Sequence, residues 1–120
     1  MDQLQAVQAI GEVNDGSDAR LQEAVLTRVQ SDPRLRDALL KEGIEALLTG
    51  DVDTGKAILR DYIKVTVGFE QLGEATGASP KSLIRMFGPS GNPQARNLFS
   101  VISHLQREAH LTLHVTARSH

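Results

Sequence analysis

A short run of basic and hydroxyl side chains carries the chemistry by which this sequence could recognise another molecule. Lys81, Ser82 and Arg85 follow Ser79-Pro80, a pair typical of a helix start, so all three are predicted in one short helix. Arginine can bind guanine or a phosphate through two parallel hydrogen bonds, lysine can bind either group, and serine can donate to a phosphate oxygen. These residue types indicate a surface that binds phosphates and base edges. The simpler alternative is a solvated helix face.

A second short helix is predicted just before this one, and the spacing of glycine and leucine predicts that the two helices cross. Residues 69–87 read FEQLGEATGASPKSLIRMF. Leu72 and Leu83 are predicted to fill the wedge between the helices, while Gly73, which has no Cβ, lets the second helix approach its backbone. Gly77 can adopt the left-handed conformation that ends the first helix. The segment is therefore predicted to be a helix-turn-helix.

The sequence around this segment resembles a known family. After the second helix, residues 88–93 read GPSGNP, and a further helix is predicted from about Gln94, with an apolar side formed by Leu98, Val101, Ile102 and Leu105. Residues 66–105 thereby resemble the DNA-binding domain of the phage Cro and repressor (XRE-like) type. Residues 111–116, LTLHVT, are similar to a strand that follows this domain in addiction-module antidote proteins, the antitoxins of toxin–antitoxin modules.

The resemblance implies which residues bind DNA, because the matching N-terminal positions of the second helix reach base edges and nearby phosphates in the family. The candidate DNA-binding residues are Ser79, Pro80, Lys81, Ser82, Ile84, Arg85, Ser90, Asn92 and Arg96, the last three as contacts to the DNA backbone. Two residues depart from the family pattern. Phe69 stands where many relatives carry a glutamine that contacts a phosphate. Ile84 places an apolar group on the presumed DNA face, where it would meet a thymine methyl group or another protein.

Charge is divided unevenly along the chain, whose net charge is −2. Residues 1–78 carry eight Lys and Arg against fourteen Asp and Glu, a balance of −6, whereas residues 79–120 carry five against one, a balance of +4. The basic half suits phosphate and the acidic half suits a basic partner. The alternative is that the asymmetry arose by chance or only aids solubility.

Apolar residues recur at helical spacing almost throughout, so the predicted fold is mainly α. We expect a helical N-terminal extension at residues 1–50, a helix-turn-helix DNA-binding domain at residues 51–110, and a C-terminal strand and tail at residues 111–120. Three helices are predicted in the extension. The first contains Leu4, Val7 and Ile10, the second begins after a cap at Ser17 or Asp18, and the third runs from Pro33 to a break at Thr49-Gly50-Asp51. It caps the core in the simpler interpretation and binds a partner in the other. A helix over about residues 53–67 would open the DNA-binding domain.

The C-terminal segment alternates in hydrophobicity and predicts a half-buried strand. Leu111, Leu113 and Val115 point one way, and the polar residues between them point the other. Because a lone strand cannot satisfy its backbone groups, we expect it to pair with a second copy of itself or with the sheet edge of a partner. A homodimer is favoured, because proteins with recognition helices commonly bind two half-sites. A frayed tail is the alternative.

Two further patterns suggest chemistry that we do not expect. Gly50, Gly55 and Lys56 have the spacing of a phosphate-binding loop, but Ala57 replaces the residue that would contact magnesium, and no strand precedes the loop. A helix break with Asp51 or Asp53 as N-cap explains the same residues. The four histidines lie on a predicted helix, a linker, a strand and the terminus, so no metal or other cofactor is predicted; they are His104, His110, His114 and His120.

Composition excludes several further classes of protein. The chain has no cysteine, so a disulfide, a thiol nucleophile and a cysteine zinc site are excluded. Aromatic residues make up only 3% of the chain, which argues against a stacking platform for single-stranded nucleic acid. No Ser, His and Asp grouping has a nucleophile turn, and an enzyme is not expected. No apolar run has the length of a membrane span and no secretory signal is recognisable, so we expect a cytoplasmic protein.

The sequence therefore predicts a cytoplasmic, sequence-specific DNA-binding repressor, with the function of an antitoxin implied by the resemblance. It would neutralise a small basic toxin that cleaves mRNA, and as a homodimer it would bind double-stranded DNA at its own operon. One alternative is a transcriptional regulator without a toxin. Another is a protein-interaction module that has lost specific DNA binding, which Phe69 and Ile84 would permit.

Overall fold

A computed structural model describes residues 19–119, and this part of the chain is α-helical. Its helices are α1 (Ala19–Ser31), α2 (Pro33–Leu48), α3 (Val52–Val65), α4 (Phe69–Thr76), α5 (Pro80–Met86) and α6 (Ala95–Ala109). The prediction of a mainly α protein is confirmed. The predicted helix around Leu4, Val7 and Ile10 and the predicted cap at Ser17 or Asp18 lie outside the described residues.

The breaks between the first helices lie where the sequence predicts them, because local capping residues end and restart each helix. At the start of α2, Asp32 accepts a hydrogen bond of 3.0 Å from the backbone nitrogen of Arg34, and Pro33 takes the first helical position. At the start of α3, Asp51 accepts one of 3.3 Å from the backbone nitrogen of Thr54. Of the two predicted alternatives, Asp51 and Asp53, Asp51 is the cap.

One hydrophobic core joins the helices before residue 51 to those after it. Helix α2 packs most extensively against α3, where Gly55 lies so close to Leu47 that a Cβ at position 55 would approach that side chain to 2.6 Å. The core contains Val29, Leu35, Leu39, Leu40, Ile58, Leu59, Tyr62, Ile63, Leu72, Leu83, Phe87, Val101 and Leu105. The same core therefore includes residues of α4, α5 and α6.

The strand predicted for residues 111–116 is not formed, and no strand occurs within residues 19–119. His110 ends α6 in a left-handed conformation (φ 55°), and the backbone nitrogen of Leu113 then donates to Oε1 of Gln106 at 2.8 Å. Leu111 and Leu113 pack against the core of their own chain, whereas Val115 is 78% exposed. The alternation is therefore real for two residues, but a helix surface covers them and no neighbouring strand pairs with the backbone.

Within residues 19–119, no helix has both the length and the apolar character needed to cross a bilayer.

Candidate nucleic-acid interface

The turn between α4 and α5 is built by backbone and hydroxyl hydrogen bonds. Gly77 takes the left-handed conformation (φ 80°, ψ 6°), and its N–H donates to the carbonyl of Gly73 at 2.8 Å. Ser79 then caps α5, because its Oγ accepts from the backbone nitrogen of Ser82 at 3.1 Å. The same hydroxyl donates to Oγ of Ser82 at 2.9 Å. These caps agree with the sequence prediction for Gly77 and Ser79.

Close backbone contact holds the two helices together. A Cβ at position 73 would lie 2.6 Å from the carbonyl oxygen of Ala78 and 3.4 Å from Cδ of Pro80, so only glycine permits this approach. Leu72 and Leu83 are buried beneath the crossing. The helix pair thus presents the other sides of α5 outward.

A groove of about 610 Å³ lies between α5, the loop that follows it and the beginning of α6. It brings together four of the predicted site residues, Ser82, Arg85, Ser90 and Asn92. Four further polar residues line the groove that the sequence did not indicate as binding residues, namely Thr76, Gln94, Asn97 and Ser100. One guanidinium among hydroxyl and amide groups is a donor set that suits phosphate oxygens and base edges.

The other predicted site residues are exposed but do not line the groove. Ser79, Pro80 and Lys81 lie at the start of α5, and Arg96 lies in the first turn of α6. Ile84 is 50% exposed on the outer side of α5. The predicted set therefore divides into residues of the groove and residues on the surface beside it.

The opposite side of the turn is acidic. Glu70 and Glu74 of α4 line a shallow hollow together with Ser79 and Pro80. Carboxylates repel phosphate, so an anionic ligand is favoured on the Arg85 side of α5 and disfavoured on the α4 side.

Phe69 has a packing role that the sequence did not reveal. It is partly buried and contacts the hydrophobic core at the first position of α4. A core contact explains an aromatic residue at a position where the resemblance led us to expect a polar one.

Lys56 is buried behind the groove, with only 3% of its surface exposed. Its Nζ donates to the carbonyl of Gly88 at 2.9 Å and to that of Gly91 at 2.6 Å, and it lies 4.0 Å from Oδ1 of Asp53. The lysine of the rejected phosphate-loop pattern is thus bound by the loop after α5. The sequence did not indicate the partners of this lysine. Its one signal is the position of a lysine among buried residues of α3, where this residue type is unusual.

Gly91 closes the same loop against the end of α5. A Cβ at this position would overlap the carbonyl oxygen of Arg85 and would lie 2.6 Å from that of Met86. The loop therefore returns to the last turn of α5 and forms one wall of the groove.

Within residues 19–119, no three His, Asp or Glu side chains are grouped to hold a metal ion. Nε2 of His104 lies 3.6 Å from Oε1 of Glu108 one turn further along α6.

Compared with protein-family models, with curated proteins and with solved structures, the chain finds no match.

Proposed function

We propose that this chain is a DNA-binding transcriptional repressor of the helix-turn-helix type, with α5 as its recognition helix. The observation that carries the proposal is the tight α4–α5 crossing at Gly73, which holds an outward face of α5 beside a polar groove. In such proteins, the N-terminal residues of the second helix enter the major groove of DNA.

The contacts are assigned by side-chain chemistry. Arg85 pairs with a guanine or a phosphate, and Lys81 binds a phosphate or guanine at the start of α5. Ser82, Ser90 and Asn92 are uncharged donors that hold the DNA backbone without adding to the salt dependence of binding. Ile84 meets a thymine methyl group.

A role as the antitoxin of a toxin–antitoxin module accounts for the remaining charges. Residues 1–78 have a net charge of −6, which complements a small basic toxin that cleaves mRNA. The site of action is the cytoplasm. A homodimer on two half-sites of the operator is part of this proposal. Because Leu111 and Leu113 contact their own core, Val115 is the one of these three predicted pairing residues that remains exposed.

A protein-interaction module is the second candidate, and two exposed apolar residues favour it. Ile84 is 50% exposed and Phe99 is 62% exposed. A partner protein would bury both side chains without any contact to DNA. A regulator without a toxin is the remaining alternative.

Salt-dependent binding to DNA from upstream of the chain's own coding sequence tests the proposal. Lys81→Ala with Arg85→Ala should weaken binding, and the slope of log K against log[salt] should fall by about 0.9 for each of the two side chains that binds a phosphate. Lys64→Ala, at an exposed position of α3, is the matched control and should leave binding unchanged. If the double variant binds as tightly as the unaltered chain, α5 is not the recognition helix.

Two observations separate the finer alternatives. The antitoxin role would be supported by a neighbouring gene that encodes a small basic protein and by co-purification of that protein with the chain. The absence of such a gene favours a regulator without a toxin. Solution mass at micromolar concentration tests the dimer. A full chain that is already monomeric at that concentration, and that stays monomeric after deletion of residues 111–120, would contradict pairing through the tail.

A further inference from the structure

A buried ammonium group connects the core helix α3 to the loop beside the groove. An ammonium taken out of water must regain hydrogen bonds, and Lys56 obtains two from backbone carbonyls. A leucine would fill the same volume of α3 at no such cost. The lysine is therefore explained by the loop that it binds, which lies 32 and 35 residues further along the chain.

The two carbonyls are the two ends of one tight turn. The N–H of Gly91 donates to the carbonyl of Gly88 at 3.0 Å, which closes a four-residue turn with Pro89 and Ser90 at its centre. Proline after the first residue and glycine at the last are typical of a type I turn. Because the ammonium binds the carbonyls of the first and last residues, it fixes both ends of the turn to α3.

The turn carries residues of the groove. Ser90 lies at its tip, Asn92 follows it directly, and both line the groove with Arg85. Gly91 is meanwhile pressed against the last carbonyls of α5. The position of these donors relative to α5 thus depends on a lysine that does not itself reach the groove surface.

We infer that Lys56 is a positioning residue of the DNA-binding surface: it sets the turn at residues 88–91 so that Ser90 and Asn92 face the same DNA backbone as Arg85. The inference rests on the proposed function for its effect on DNA, but its effect on the turn is measured without DNA. Lys56 makes no contact with phosphate.

The first experiment measures amide hydrogen exchange by NMR in Lys56→Met, which keeps the length and removes the donors. The Gly91 amide should exchange at least tenfold faster than in the unaltered chain, while amides at the centre of α3 keep their protection. Lys64→Met, on the exposed side of the same helix, is the control and should leave Gly91 unchanged. Unchanged protection of Gly91 in Lys56→Met overturns the inference.

The second experiment measures binding of the upstream DNA by fluorescence anisotropy over a range of salt concentrations. Lys56→Met should weaken binding on the order of tenfold, the factor that corresponds to about 1.4 kcal/mol. The slope against log[salt] should not change, whereas Arg85→Ala should lower it by about 0.9. A slope lowered by Lys56→Met would show a direct phosphate contact, and unchanged affinity with a loosened turn would show that the turn does not matter; each result overturns the inference.

The two experiments fail separately. If the unaltered chain does not bind the DNA, the proposed function fails, and the Gly91 exchange rate still decides whether Lys56 holds the turn. If Lys56→Met does not fold, Lys56→Gln replaces it in both assays, because glutamine is polar but uncharged and one atom shorter than lysine, so it should weaken both hydrogen bonds to the turn. The same exchange and slope criteria apply to that variant.

Discussion

Replacing Gly73 by alanine tests the helix crossing on which the proposed interface depends. The added Cβ would lie 2.6 Å from the carbonyl oxygen of Ala78, where an ordinary contact is 3.4 Å or more, so the turn must move by about 0.8 Å. The obstructing atom belongs to the backbone between two helix caps and cannot rotate away. Overpacking costs about 1–3 kcal/mol, and alanine recovers about 1 kcal/mol of helix propensity. From the upper end of that range, we expect a net loss of about 2 kcal/mol in the free energy of unfolding.

Urea unfolding followed by far-UV circular dichroism measures this loss, with Gly88→Ala as the matched control. A Cβ at position 88 would lie 3.4 Å from the carbonyl oxygen of Arg85, an ordinary contact, and Gly88 does not have a positive φ. We expect the control to change stability by less than about 0.5 kcal/mol. If Gly73→Ala is as stable as the control, α4 and α5 do not cross at this distance, and the geometry that supports a recognition helix is wrong.

Three further changes test the turn, the core and the one tyrosine. Gly77→Ala should cost about 1–2 kcal/mol in urea unfolding because Gly77 has φ 80°, and Gly77→Asn should cost less because asparagine tolerates that conformation. Leu39→Ala, at a fully buried position, should cost about 2–5 kcal/mol, whereas Leu48→Ala at an exposed one should cost little; equal losses would contradict the core. Burial, reinforced by the charge of Asp37, raises the pKa of Tyr62 from 10.0 to about 12. The contribution of the neutral Tyr62 to the free energy of unfolding is therefore fully present below pH 10 and is lost as the pH rises through 12, a loss of about 2–3 kcal/mol in all. Phenolate absorbance of this single tyrosine measures the midpoint, and a native midpoint near 10 would refute the shift.

The caps and the tight turn could be predicted because their causes are local. Asp51, Gly77 and Ser79 act on backbone groups three or four residues away, so the residue type and its neighbours suffice. The same holds for the apolar side of α6, where helical spacing alone identifies Val101 and Leu105 as buried.

The prediction of a C-terminal strand is wrong for a reason that periodicity cannot reveal. Alternating burial of Leu111 and Leu113 follows from any extended segment that lies on an apolar surface. Whether that surface is a neighbouring strand or a helix depends on the tertiary fold. Here Gln106 of α6 supplies the acceptor for the backbone of Leu113, in place of a partner strand.

The contact of Lys56 could not be predicted from the sequence, for a different reason. Its neighbours in sequence, Gly50 and Gly55, resemble a phosphate-binding loop, whereas its partners lie 32 and 35 residues away and are backbone carbonyls, which carry no residue-type signal. Gly91 gave no signal either, because its φ is not positive and only the returning loop requires the missing Cβ.

The shortness of α5 explains why contacts at both of its ends matter. It has 7 residues, well below the roughly 12–15 that an isolated helix needs, so its own hydrogen bonds cannot hold it. Its N-terminal end is fixed by the approach of Gly73 and its C-terminal end by the turn that Lys56 holds. A change at either end should therefore alter the face that α5 presents without touching a residue of that face. Gly73→Ala and Lys56→Met act on opposite ends of α5. If both variants lose DNA affinity with unchanged salt slopes, the cause is a change in the position of α5, because loss of a direct phosphate contact would lower the slope.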